Sequence, residues 1–113
     1  MSPQIPEVDV AGVPAELPGA LTVLDVREDD EWQAGHIEEA WHIPLMQVPA
    51  RFDELPAEHQ VLVVCKVGAR STQVTAFLQA QGVDAVNLSG GMQAWAGAGR
   101  RIVSETNAPP QVV

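Results

Sequence analysis

The sequence predicts an α/β domain with a mainly parallel central sheet, and three observations carry that prediction. Residues Val61, Leu62, Val63 and Val64 form an apolar run without alternation, the pattern of a strand covered on both faces. In the segment 71–81, Val74, Phe77 and Leu78 lie on one helical stripe, and Gly82 stops it. Candidate strands and helices then alternate along the chain, the order expected when helical crossovers join parallel strands.

The elements follow in order. Pro6 to Val10 alternates and reads as a short edge strand. Leu21 to Val26 is a largely apolar second strand. Asp29 is placed to cap a short helix running through Trp32 to Ala34, with Gly35 closing it. A further helix is expected over 46–52, beyond the break at Pro44. The strand 61–64 and the helix 71–81 come next, then a strand over 84–88 that ends at Gly90-Gly91. A last helix over 92–98 puts Trp95 on its inner face. Trp32, Trp41 and Trp95 are all expected in the core. Residues 1–103 read as one domain, and 104–113, with two adjacent prolines and little periodicity, as a C-terminal tail.

The 113 residues are 46% hydrophobic and 19% charged, enough apolar material for one core and too little charge for a disordered chain. A net charge of −9 argues against nucleic acid or an anionic membrane as partner, since both call for a basic face. The stretch from Met1 to Glu7 lacks a basic start and apolar core, and no apolar run approaches a membrane span, so a cytoplasmic location is expected. One cysteine forms no internal disulfide, and His36, His42 and His59 are not spaced as a zinc site. No metal is expected. The acidic run from Glu28 to Glu31 reads as a solvated helix start.

The chemistry concentrates at Cys65-Lys66-Val67-Gly68-Ala69-Arg70-Ser71, which joins the most apolar strand to the clearest helix. Sites in open parallel sheets form beyond the carboxyl ends of strands, where this turn lies. The N–H groups of a tight turn and a helix start converge on one point and favour negative charge there. Gly68 supplies the backbone freedom such a curl needs. A sulfur at that focus is stabilised as thiolate. Lys66 and Arg70 add two of the chain's six basic side chains. A lone cysteine ending a buried strand is ordinarily a small core hydrophobe. A purely apolar pocket has no use for the glycine, the two cations and the helix start, so the reactive reading is preferred.

At these residues the chain resembles the rhodanese family of sulfurtransferases. The resemblance runs from about Val8 to Gly99 and rests on four blocks in series. They are Asp25-Val26-Arg27, Glu31 through Gly35-His36-Ile37 to Ile43-Pro44, the turn Cys65 to Ser71, and Gly90-Gly91 followed by Trp95. It implies a three-layer α/β/α fold and a two-step reaction without a bound cofactor, in which the carrier is a persulfide on Cys65. The thiolate takes a sulfane sulfur from a small donor such as thiosulfate and passes it to cyanide, an external thiol or a protein. Turn N–H groups would hold the persulfide, and Lys66 and Arg70 the departing sulfite.

Four residues separate Cys65 from Arg70. The related phosphatases and arsenate reductases have five, and the shorter turn suits one sulfur atom better than a tetrahedral phosphate. A small phosphatase or arsenate reductase is therefore the second hypothesis. A non-catalytic module that docks a partner through the rhodanese shape is the third, and the cysteine itself counts against it. Asp25 and Arg27 resemble the family's residues that fix the turn and face the site. His36 is expected to order the loop after the short helix. Two positions depart from the family pattern: Glu39 stands where glycine is common, and Lys66 where arginine is frequent.

Overall fold

Five parallel strands form one sheet in the order β1-β5-β4-β2-β3 in the computed structural model, which describes residues 5–113. Met1 to Gln4, where the N-terminal stretch considered above begins, lie outside the described residues. The strands are β1 (Glu7–Val8), β2 (Leu21–Asp25), β3 (Trp41–His42), β4 (Gln60–Val64) and β5 (Ala85–Leu88). The helices are α1 (Asp29–Ala34), α2 (Val48–Arg51), α3 (Ala69–Ala80) and α4 (Gly91–Gly97).

β4 is the central strand, and it alternates between two cores as a pleated strand must. Val61, Val63 and Cys65 face Leu24, Val26, Val48, Val74 and Leu78, the layer of α2 and α3. Leu62 and Val64 face Val10, Val13, Leu88, Met92 and Trp95, the layer that includes α4. Helices on both faces make the three-layer α/β/α architecture. They also explain why β4 reads as an unbroken apolar run. Among the described residues no helix is long and apolar enough to cross a membrane.

Strand β3 was not anticipated. It has only two residues, and it pairs Trp41 with Leu24 and His42 with Asp25. The Ile43 and Leu45 N–H groups extend the contact to the Asp25 and Val26 carbonyls, at 3.1 and 3.0 Å. The pairing thus completes the outer edge of β2 with backbone alone, which leaves no periodicity in the sequence. The helix expected over 46–52 is broken into a 3₁₀ turn at Leu45–Gln47, the four residues of α2, and a second 3₁₀ turn at Phe52–Glu54. Pro49 has no N–H and tolerates only the first turn of a helix, so α2 begins beside it. Trp41 is 41% exposed and is not a core residue, whereas Trp95 is buried.

The segment 104–113, expected as a tail, lies against the end of α1. Glu105 N–H donates to Gln33 O at 2.9 Å and Gln111 N–H to Ala34 O at 3.0 Å, while Val112 packs on the α4-side core. A Cβ on Gly35 would stand 2.9 Å from Gln111 N and closer still to its carbonyl oxygen, so the absence of a side chain lets the strap approach.

Candidate active site

The chain runs outward from β2 to β3 on one side of the sheet and from β4 to β5 on the other. The carboxyl ends of β2 and β4 therefore flank the point where the topology reverses, the usual place for a site in such sheets. Asp25-Val26-Arg27 leaves β2 there, and Cys65 leaves β4.

Sγ of Cys65 sits in a cradle of donors. Gly68 N–H donates to it at 3.1 Å and Ser71 N–H at 3.3 Å, and Ser71 Oγ lies 3.2 Å away. Burial pushes the thiol pKa up. The Ser71 hydroxyl and the Ser71, Gly68 and Val67 N–H groups together outweigh burial, and the net pKa is lowered. Gly68 adopts φ +107°, a left-handed conformation that turns the chain into α3.

The turn's carbonyls must point away for its N–H groups to point in, and α4 receives them. Met92 N–H donates to Cys65 O at 2.8 Å and Gln93 N–H to Lys66 O at 3.0 Å. The first N–H groups of a helix have no partner within it, so loop and helix satisfy each other. The contact is too close for a side chain: a Cβ on Gly91, where φ is +57°, would overlap the Cys65 carbonyl and stand 2.6 Å from that of Lys66. Gly90-Gly91 is therefore part of the site's construction.

The cations around the thiol differ in state. Arg70 is paired with Glu31 of α1 through Nη1–Oε1 at 2.7 Å and Nη2–Oε2 at 2.9 Å. This two-pronged contact holds the Glu31 carboxyl down to about pKa 2, against the raising effect of burial. Glu31 also accepts the Glu28 N–H at 2.9 Å, so one carboxylate caps α1 and anchors the Cys65 turn. Arg27 is fully buried and grips Asp25 (Nε–Oδ1 2.9 Å, Nη2–Oδ2 2.7 Å) and Gly35 O (2.8 Å). Its Nη1 has no partner among the described residues. Lys66 is half-buried, and Val67 is exposed at the turn's tip.

His36 is buried, with Nδ1 2.9 Å from Ile37 O and Nε2 2.8 Å from Glu105 Oε1. Trp32 is sandwiched between His36 and His42, with ring centroids 3.5 and 4.8 Å away. His42 Nε2 lies 2.8 Å from Arg27 O and fixes the backbone beyond β2.

Of the residues expected at the site, Cys65, Gly68 and Ser71 meet at the sulfur, with the Val67 N–H contributing. Arg70 is diverted to Glu31, and Asp25 and Arg27 bind one another. His36 bonds to Ile37 and the C-terminal strap. Sequence reasoning missed three contributors. Glu31 was read as part of a solvated helix start and of a block of the family resemblance, with no contact to the Cys65 turn expected of it. Asn87, 2.5 Å from Ser71 Oγ, arrives from β5. Glu105 lay in the supposed tail.

Fold and site together define a class: a parallel α/β domain whose central strand delivers a cysteine into a turn of converging hydrogen-bond donors. The Rhodanese-like domain profile matches residues 14–98, and the chain belongs to the rhodanese family. It is 34% identical over 96 residues to the putative sulfurtransferase YtwF of Bacillus subtilis, covering 83% of this chain and 93% of that protein. It is 39% identical over 85 residues to a sulfurtransferase of Allochromatium vinosum, covering 74% and 79%. The crystal structure of a rhodanese-related protein from Thermoplasma volcanium superposes with a TM-score of 0.80 at 32% identity, covering 87% of this chain and 97% of that one.

Proposed function

We propose that the protein is a sulfurtransferase that carries a sulfane sulfur as a persulfide on Cys65. The observation that carries this reading is the convergence of the Gly68 N–H, the Ser71 N–H and the Ser71 hydroxyl on one sulfur. The Cys65 thiolate attacks the outer sulfur of thiosulfate, the S–S bond to the sulfonate breaks with its electron pair, and sulfite leaves. The acceptor, cyanide or a thiolate, then attacks the outer sulfur of the persulfide and regenerates the Cys65 thiolate. Negative charge stays at the cradle throughout, so fixed donors that need no rearrangement lower both barriers. No bound cofactor enters, because the cysteine itself is the carrier.

Thiosulfate as donor is supported by the cations that follow β2 and β4 in the chain. Arg27 Nη1 is a buried donor still to be satisfied, and an oxyanion is its natural complement. Lys66 is the cation of the turn with no ion-pair partner among the described residues. With one cysteine in the chain, the acceptor is external.

Intact-mass analysis after incubation with thiosulfate tests the proposal. One added sulfur, lost on addition of cyanide with formation of thiocyanate and never present in Cys65→Ser, is the expected result. No added sulfur with thiosulfate, polysulfide or a persulfidated thiol as donor would overturn it.

A further inference from the structure

Persulfide chemistry at Cys65 needs a second molecule, because the chain has no other cysteine to take the sulfur. An apolar groove of about 280 Å³ lies beside the turn, between the segment after β3 and α3. Leu45, Met46 and Val48 line one wall, and Val74 and Phe77 the other. Val48 and Val74 belong to the same buried cluster as Cys65, so the groove's floor is the layer into which the cysteine packs. Leu45 N–H donates to Val26 O, and Val26 N–H to Val64 O, each at 3.0 Å. The groove is thereby held at the carboxyl end of the sheet, the end that carries Cys65. Two apolar side chains stand uncovered there. Met46 is 84% exposed at the groove, and Val67 is 53% exposed at the tip of the turn. Methionine is flexible and polarizable, and it suits a surface that adapts to what it binds.

Charge selects the occupant. Gln73 also lines the groove, and it shares a face of α3 with Arg70, three positions earlier. Arg70 ties that face to α1 through Glu31 at 2.7 Å, which brings the exposed carboxylates of Glu28, Asp29 and Asp30 to the groove's flank. Asp29 has only the His42 ring, 3.8 Å away. Arg51 of α2 is engaged by Glu54 at 3.0 Å. Lys66 is then the sole nearby cation without an ion-pair partner among the described residues, against three exposed carboxylates. A second copy of a chain with net charge −9 is repelled by such a flank, and so is a small anionic thiol.

We propose that this groove docks a protein sulfur acceptor, which inserts an apolar side chain between Met46 and α3 and sets lysine or arginine residues against Glu28, Asp29 and Asp30. Apolar insertion supplies the affinity, while opposite charge speeds encounter and fixes orientation. The docked thiolate attacks the outer sulfur of the persulfide, the S–S bond breaks with its electron pair on Cys65 Sγ, and the acceptor leaves carrying the sulfur. The acceptor's role rests on the persulfide reading; the docking itself does not.

The probes are short synthetic peptides with a lysine-rich flank, one leucine, methionine or phenylalanine, and serine in place of the thiol. They are titrated into methyl-labelled Cys65→Ser protein, which takes sulfur chemistry out of the measurement. Saturable shifts centred on the Met46, Val48 and Val74 methyl groups are the expected result, and added salt weakens them. Met46→Ser weakens binding about tenfold, the size of one apolar side chain's burial. The same substitution beside an intact Cys65 leaves the pH midpoint of iodoacetamide alkylation at the thiol unchanged, which shows that the turn is undisturbed. No saturation, shifts centred elsewhere, or equal binding of glutamate-rich peptides overturns the proposal. So does a dimer in sedimentation equilibrium whose formation shifts the groove methyls without peptide. If the wild type takes up sulfur but no peptide docks, this inference falls and the persulfide reading stands. If peptides dock but no donor loads Cys65, the reverse holds.

Discussion

Glu31 does two things with one carboxylate: it caps α1 through the Glu28 N–H and holds the Arg70 guanidinium in a two-pronged pair. Its pKa in the fold is about 2, against 4.5 for the free group. A depressed carboxylate contributes stability that is complete above the unfolded value, falls away as pH drops towards 2, and is absent below it. Glu31→Gln keeps an oxygen for the cap and loses the charge. Urea denaturation is therefore expected to show the wild type more stable at pH 7, with the difference shrinking below pH 4.5 and vanishing near pH 2. At this scale, the site was legible where it is contiguous. Cys65, Gly68 and Ser71 lie within seven consecutive positions, and strand-to-helix geometry forces their convergence. Glu31 and Asn87 reach the turn from 39 and 16 positions away, and a sequence without its fold gives no reason to join them.

The contact between the Cys65 turn and the start of α4 is the element-level device that orients the cradle. Gly91→Ala puts a methyl group against the Cys65 and Lys66 carbonyls at a positive φ. A strained backbone angle and an overpacked contact together cost about 2–5 kcal/mol. The variant is expected to unfold at lower urea and, where still folded, to show a higher alkylation midpoint at Cys65. Gly97→Ala, in the same helix with open space at its Cβ, is the control and leaves both unchanged. The elements that sequence reasoning found each carry a local signal: an unbroken apolar run in β4, an apolar stripe in α3, and acidic residues with a closing glycine around α1. β3 is held by backbone hydrogen bonds to β2, and the region around α2 by packing of Val48, Leu55 and Phe52 on the core. Neither leaves a repeating pattern. The strand end and the family resemblance marked Gly90-Gly91 without saying what it touches.

Across the whole molecule, the C-terminal strap couples to the site through α1. It binds the last turn of that helix, and the first turn of the same helix holds Arg70. Ending the chain at Val103 removes the Glu105 partner of His36, the Gln111 bond to Ala34 and the packing of Val112. A loss of about 1–3 kcal/mol is expected, read as a lower Tm. Sulfur transfer should also weaken at temperatures where most of the protein is still folded, because α1 loosens first. The central place of β4 has a separate consequence, one of exposure over time. Two strands flank it on either side, so its amides should exchange with deuterium only when the entire domain opens. Local breathing at the sheet margins then leaves the sulfur covered. Cys65, 1% exposed at the end of that strand, is shielded with it, so over-oxidation by peroxide should be slow while the domain stays closed.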